Sequence, residues 1–122
     1  PDGVGFTLLQ FTSPSFPYGG ELYKFSTLFP GKTDRILRPE KFYLDDFAYI
    51  PGEGIYVACT EKNSNLRLPI PAKVTVLFSK DFLKWETVAV DYRAVAKRLF
   101  LSVTATNKVW LATDEGMILS LR

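Results

Sequence analysis

The most informative stretch of the sequence is Phe47-Ala48-Tyr49-Ile50, a turn of four residues, and Ile55-Tyr56-Val57-Ala58. It recurs later in the chain as Leu101-Ser102-Val103-Thr104, a second turn of the same length, and Val109-Trp110-Leu111-Ala112, at one constant offset. Gly, Pro and Asn in the two turns suit tight connections, because Gly and Asn tolerate positive φ and Pro presets the first turn position. The sequence therefore predicts two antiparallel hairpins that belong to an internal repeat.

Short runs rich in β-branched and aromatic residues continue on both sides of these hairpins, which is typical of an all-β chain. The predicted strands are Phe6 to Phe11, Glu21 to Leu28, Arg35 to Leu37, Phe47 to Ile50, Ile55 to Thr60, Val74 to Ser79, Glu86 to Val90, Arg98 to Val103, Val109 to Thr113 and Met117 to Leu121. The stretch from Asp91 to Lys97 is the one piece that suits a short helix, as a connection.

The strands group into units of three, four and three. Four-stranded antiparallel units that repeat at about 40 to 55 residues are typical of β-propellers. We therefore expect an incomplete propeller of about two and a half blades in a single unit: a partial blade over 1–38, a full blade over 42–91 and a partial blade over 98–122. The alternative is a β-sandwich, whose turns have similar sequences.

The turn after the sixth predicted strand is Ser79-Lys80-Asp81-Phe82-Leu83-Lys84-Trp85-Glu86. It resembles the Asp-box turn of sialidase-like (BNR) propellers, and also the corresponding turn of five-bladed glycoside hydrolases of the arabinanase and fructanase kind. Leu83 stands where those families commonly have glycine. With the hairpins, the resemblance covers about residues 42 to 121. It implies a structural turn in which Asp81 accepts backbone N–H bonds, Ser79 supports the turn and Trp85 is buried between blades.

Composition excludes several classes of function. Lys and Arg number 15 against 13 Asp and Glu over 122 residues, so the charge of +2 is too small and scattered for nucleic-acid binding. No apolar run is long enough to span a membrane. One cysteine and no histidine exclude an internal disulfide and the usual zinc sites, so we expect no metal and no cofactor. The sequence predicts a soluble chain. An extracellular or virion-associated location is compatible with it, and the sequence does not determine the compartment.

Carboxylates are the only candidates for chemistry. A glycosidase needs two of them on one sugar, separated by about 5 to 10 Å. Asp46, at the entrance to an innermost strand of the predicted blade, could join Glu53 or Glu115. All three also suit solvated turns, and we expect no catalytic role.

Aromatic side chains in or near loops are the candidates for ligand binding, because rings stack on sugar faces without special pKa values. They are Phe16, Tyr18, Phe42 and Tyr43. Trp85 and Trp110 lie in strand contexts and are expected in the core. Cys59 lies in an apolar strand and is expected to be an inert small hydrophobe.

A propeller of two and a half blades leaves sheet faces and strand edges uncovered. We therefore expect either a homo-oligomer or a piece of a larger protein, in which a second chain or a missing segment supplies the remaining blades. A start at Pro1 and an end within a unit favour the second arrangement. The predicted function is a non-catalytic binding or assembly module that presents loops to a glycan or protein ligand. The alternative is part of a glycan-processing propeller enzyme, a glycoside hydrolase or a sialidase-like protein.

Overall fold

A computed structural model describes residues 4–9, 20–26, 33–39, 41–61, 72–88, 90, 95–104 and 108–121. Their secondary structure is entirely β. The strands are β1 (Val4–Leu9), β2 (Glu21–Ser26), β3 (Thr33–Leu37), β4 (Phe42–Ile50), β5 (Gly54–Glu61), β6 (Ala72–Ser79), β7 (Glu86–Val88), β8 (Val95–Ala96), β9 (Leu99–Val103), β10 (Val109–Thr113) and β11 (Ile118–Ser120). Nowhere in these ranges is there a helix that could cross a bilayer.

The strands form three antiparallel sheets, none of them closed. The N-terminal sheet has the order β1-β2-β3, and the C-terminal sheet has the order β11-β10-β9. The middle sheet has the order β4-β5-β6-β7, with β8 paired to β6 beyond this path. The all-β prediction is confirmed.

The middle sheet lies between the other two because β5 is apolar on both of its faces. Every residue of β5 from Gly54 to Thr60 is buried. Ile55 and Val57 pack with Leu22 of the N-terminal sheet. Tyr56 and Ala58, on the opposite face, share a core with side chains of the C-terminal sheet. Because successive side chains of a strand point to opposite faces, such a strand needs a layer on each side.

The internal repeat is present in the strand pairing itself. In the middle sheet, four successive pairs run from Asp46–Ala58 to Tyr49–Ile55. In the C-terminal sheet, the corresponding four run from Phe100–Ala112 to Val103–Val109, at the same offset that the sequence shows. The third strands of the two sheets, β6 and β11, pair in the corresponding way. Ile118 of β11 pairs with Ala112 as Val76 of β6 pairs with Ala58, although the offset between these two strands is shorter.

The structure corrects the predicted helix. Val95–Ala96 form strand β8, which pairs with Ala72 and Lys73 at the start of β6. Residues 91–94 lie outside the described ranges. A strand this short is not revealed by a sequence pattern, because its partner is distant in sequence and it is too brief to show alternation. The proposed blade boundaries stay a prediction.

Gly54 marks the place where the β4–β5 turn passes closest to a neighbouring strand. Its φ is +146°, and a Cβ there would lie 2.5 Å from the Ser79 carbonyl oxygen. Gly52 in the same turn also has positive φ, +84°, but a Cβ there would meet nothing within 4 Å. Gly52 and Gly54 are therefore suited to a comparison of alanine substitutions, since both have positive φ and only Gly54 is close to a neighbouring strand.

We predict that Gly54→Ala lowers the free energy of unfolding by about 1 to 3 kcal/mol more than Gly52→Ala does, because only the first substitution forces backbone atoms apart. Chemical denaturation of both variants measures the difference. Equal losses would contradict the close approach of Gly54 to β6.

Candidate functional site

The turn between β6 and β7 is built around the Asp81 carboxylate. Its Oδ1 accepts hydrogen bonds from the backbone N–H groups of Leu83 and Lys84, both at 2.9 Å, and from the Ser79 hydroxyl at 3.2 Å. Ser79 Oγ accepts from the Phe82 N–H at 2.8 Å. Hydrogen bonds from Lys84 and then Leu83 lower the pKa of Asp81, because they stabilise the ionised form.

This turn also fixes the N-terminal sheet. Phe82 adopts the left-handed conformation, with φ of 65°, so the strained position is Phe82 and not its neighbour Leu83. Its ring lies 5.7 Å from that of Phe6 between the two sheets. Trp85 Nε1 donates to the Ile36 carbonyl oxygen in β3 at 3.1 Å. The turn therefore places the side chains of Phe82 and Trp85 against the N-terminal sheet.

We predict that the stability difference between the wild-type protein and Asp81→Asn shrinks as the pH falls. The folded-state pKa of Asp81 is lowered, so its contribution is complete above the unfolded pKa of about 3.9 and is lost as the pH falls through the folded value. Denaturation midpoints of both proteins from pH 7 down to acid measure this. A difference that stays constant over that range would contradict the role of the charged carboxylate.

Asp46 connects the middle sheet to the C-terminal sheet. Its Oδ2 accepts a hydrogen bond from the Leu101 N–H in β9 at 2.8 Å, and its Oδ1 accepts from the Phe47 N–H at 2.9 Å. The pairing of β4 with β5 shifts between Leu44 and Asp46, which leaves Asp45 as a bulge. A bulge moves the following side chains to the other face, so Asp46 points to the C-terminal sheet and not to the side of Leu44.

The three carboxylate candidates lie in separate elements. Asp46 is within β4, with both oxygens engaged by backbone donors. Glu53 lies in the β4–β5 turn and lines a groove of about 310 Å³ with Tyr56, Phe78 and Lys80. Glu115 is exposed in the turn between β10 and β11. Among the described residues no group of three His, Cys, Asp or Glu side chains could hold a metal ion.

We predict that Asp46→Ala lowers the free energy of unfolding by about 1 to 3 kcal/mol, because the Leu101 N–H loses its acceptor at the sheet–sheet contact. Glu115→Ala, on an exposed turn, should change it by less than about 0.5 kcal/mol. Equal effects in a denaturation experiment would contradict the structural role of Asp46.

Of the four aromatic candidates, the structure describes two. Phe42 and Tyr43 belong to strand β4 and not to a loop. Phe42 packs against the core between the N-terminal and middle sheets, and Tyr43 is 4% exposed. Phe16 and Tyr18 lie outside the described residues. Ligand contact by these rings stays a prediction.

Cys59 is buried in β5, close to Asp45. Its burial and then the Asp45 charge raise the pKa of the thiol. The thiol therefore stays protonated at neutral pH, which fits an apolar side chain and not a nucleophile.

The largest departure from the predicted core is the outward side of the C-terminal sheet. We call this surface the back face; its side chains are Phe100, Ser102, Trp110, Ala112, Ile118 and Ser120. Ile118 is 69% exposed, Phe100 56% and Trp110 37%. The expectation that Trp110 is a core residue is therefore wrong. Exposed apolar side chains that share one surface are characteristic of interaction sites.

The repeat shows what the back face corresponds to. Trp110 occupies the position of Tyr56, Ala112 that of Ala58, and Ile118 that of Val76. In the middle sheet those three positions are covered by the C-terminal sheet. The sequence predicts uncovered sheet faces but does not show that Trp110 lies on one of them, because a strand that is apolar on both faces resembles a core strand. The constant offset between the two hairpins was the signal that could have identified this face.

The outer face of the N-terminal sheet is different, because it carries charges. Glu21 Oε1 accepts a hydrogen bond from the Tyr23 hydroxyl at 2.8 Å. Its Oε2 lies 3.2 Å from Arg35 Nη1 and 3.8 Å from Arg38 Nη1. The hydrogen bond to Glu21 raises the pKa of Tyr23. The two ends of the stack therefore differ in polarity.

No family model matches the chain, and neither does any curated protein or solved structure. The resemblance to sialidase-like propellers stays a prediction. A functional assignment therefore depends on the geometry described above.

Proposed function

We propose that the chain is a non-catalytic assembly or binding module made of propeller-like sheets, and that other sheets complete it at its open faces. Those sheets come from another copy of the chain or from a second chain. Loops at the sheet ends then present contacts to a glycan or protein ligand. Antiparallel sheets packed face to face, with one pairing plan repeated between two of them, support the propeller-like description.

One observation carries this proposal: the back face of the C-terminal sheet is exposed and apolar, although the equivalent face of the middle sheet is covered. Its six positions include no charged residue. Leaving large apolar side chains in water costs about 25 cal/mol for each Å² that a partner would cover. A surface of this kind is therefore suited to receive another sheet.

Catalysis has less support from the same geometry. Both oxygens of Asp46 accept backbone hydrogen bonds, so this carboxylate holds two sheets together. Glu53 and Glu115 lie in turns of two different sheets. Among the described residues that line the groove at Glu53 there is no second carboxylate, whereas a glycosidase needs two around one sugar.

We predict that Ile118→Lys changes the free energy of unfolding in dilute solution by less than about 0.5 kcal/mol, because Ile118 is exposed on an edge strand. Leu111→Ala, on the opposite and buried face of the same sheet, should cost about 2 to 5 kcal/mol. The wild-type protein should also bind a hydrophobic dye more strongly than Ile118→Lys does.

A large loss of stability in Ile118→Lys would show that the back face belongs to the chain's own core. The proposed function would then be wrong. Leu83→Lys is the control for a general effect of adding a charge, because Leu83 is 83% exposed in the β6–β7 turn.

A further inference from the structure

The side chains of the back face alternate between large and small both across the strands and along them. One row across the strands is Phe100, Ala112 and Ile118, which is large, small and large. The next row is Ser102, Trp110 and Ser120, which is small, large and small. Such a pattern has a specific complement, namely the same pattern with its two rows exchanged.

We propose that a second copy of this chain is the partner of this surface, and that the two copies pack back face on back face about a two-fold axis. The axis lies between the two sheets and runs across the strands. This inference rests on the proposed function, because it needs the back face to be an assembly surface. It names the partner and the geometry of that assembly.

The two-fold axis across the strands exchanges the rows. It reverses the strand direction, so Trp110 of one copy lies over Ala112 of the other, and the large side chains of one copy meet the serines of the other. A two-fold axis along the strands would instead place each row over the same row of the other copy. Phe100 of one copy would then lie on Ile118 of the other, and a gap would remain between the two Ala112 methyl groups. Close packing of large against small side chains favours the first arrangement.

Charges at the ends of β10 favour the same arrangement. Lys108 precedes the strand and Asp114 follows it, and both are exposed. The Lys97 N–H donates to Asp114 Oδ1 at 2.9 Å, which holds this carboxylate in place. When two β10 strands lie antiparallel across the interface, the Lys108 end of each meets the Asp114 end of the other. Complementary charges of this kind at a rim fix orientation more than they add affinity.

Head-to-tail assembly of copies fits less well. It would place the outer face of the N-terminal sheet on the back face of the next copy. That outer face carries Glu21, Arg35 and Arg38, which would lose water without gaining charged partners on the back face. Removing ion pairs from water is unfavourable unless new polar partners compensate for the lost hydration. The uncharged face therefore fits its own copy better.

The test is the mass of the full chain in solution, measured by sedimentation equilibrium over a range of concentrations. We expect a reversible dimer, since a face three strands wide is smaller than a standard interface. Ile118→Lys should weaken it at least about tenfold, because it buries a charge. Leu83→Lys adds the same charge elsewhere and should leave it unchanged.

Ala112→Trp distinguishes the specific pairing from general stickiness. It fills the space that receives Trp110 of the second copy, so it should weaken the dimer at least about tenfold. A nonspecific apolar surface would instead associate more strongly after this substitution. Melting curves in dilute solution show that each variant is folded.

A wild-type chain that is monomeric at every concentration would overturn the inference, and so would a ring of three or more copies. Stronger association of Ala112→Trp would overturn it as well. If Ile118→Lys leaves the stability of the chain unchanged, any of these three outcomes rejects only the dimer. The proposed function then stands, and the back face has a different partner. A destabilised Ile118→Lys would instead reject the proposed function.

Discussion

Burial of β5 on both faces is the constraint on which the rest of the structure depends. All consecutive residues from Gly54 to Thr60 are buried. A strand with apolar side chains on alternating sides cannot be satisfied by one partner layer, so the chain supplies a sheet in front of it and another behind it. Most of the favourable free energy of such a fold comes from removing those two apolar surfaces from water.

Polar contacts then orient the three layers. The Trp85 indole donates to β3, and the Asp46 carboxylate accepts from β9. Hydrophobic packing alone is not directional, whereas a hydrogen bond across a sheet–sheet contact fixes which residues meet. The C-terminal sheet packs on the middle sheet with the face that corresponds, in the repeat, to the face with which the middle sheet packs on the N-terminal sheet. The stack of sheets therefore has a direction, and the back face of the C-terminal sheet stays exposed.

Much of this architecture could be predicted from the sequence, because hairpins are local. The turn at Pro51-Gly52-Glu53-Gly54 and the constant offset between the two hairpins both appear in the pairing. The bulge at Asp45 could not be predicted, because one extra residue changes the face of Asp46 without changing the apolar pattern. The exposure of Trp110 was missed for a related reason: alternation tells which side chains share a face, but not whether a layer covers that face.

Amide hydrogen exchange resolved by residue shows whether the middle sheet is enclosed on both faces, because protection reports how well each strand is covered. We expect the slowest exchange in β5 and β6, faster exchange in the N-terminal and C-terminal sheets, and marked protection of the Leu101 N–H at the edge of its sheet. Exchange from β5 as fast as from the outer sheets, or an unprotected Leu101, would contradict a middle sheet enclosed on both faces.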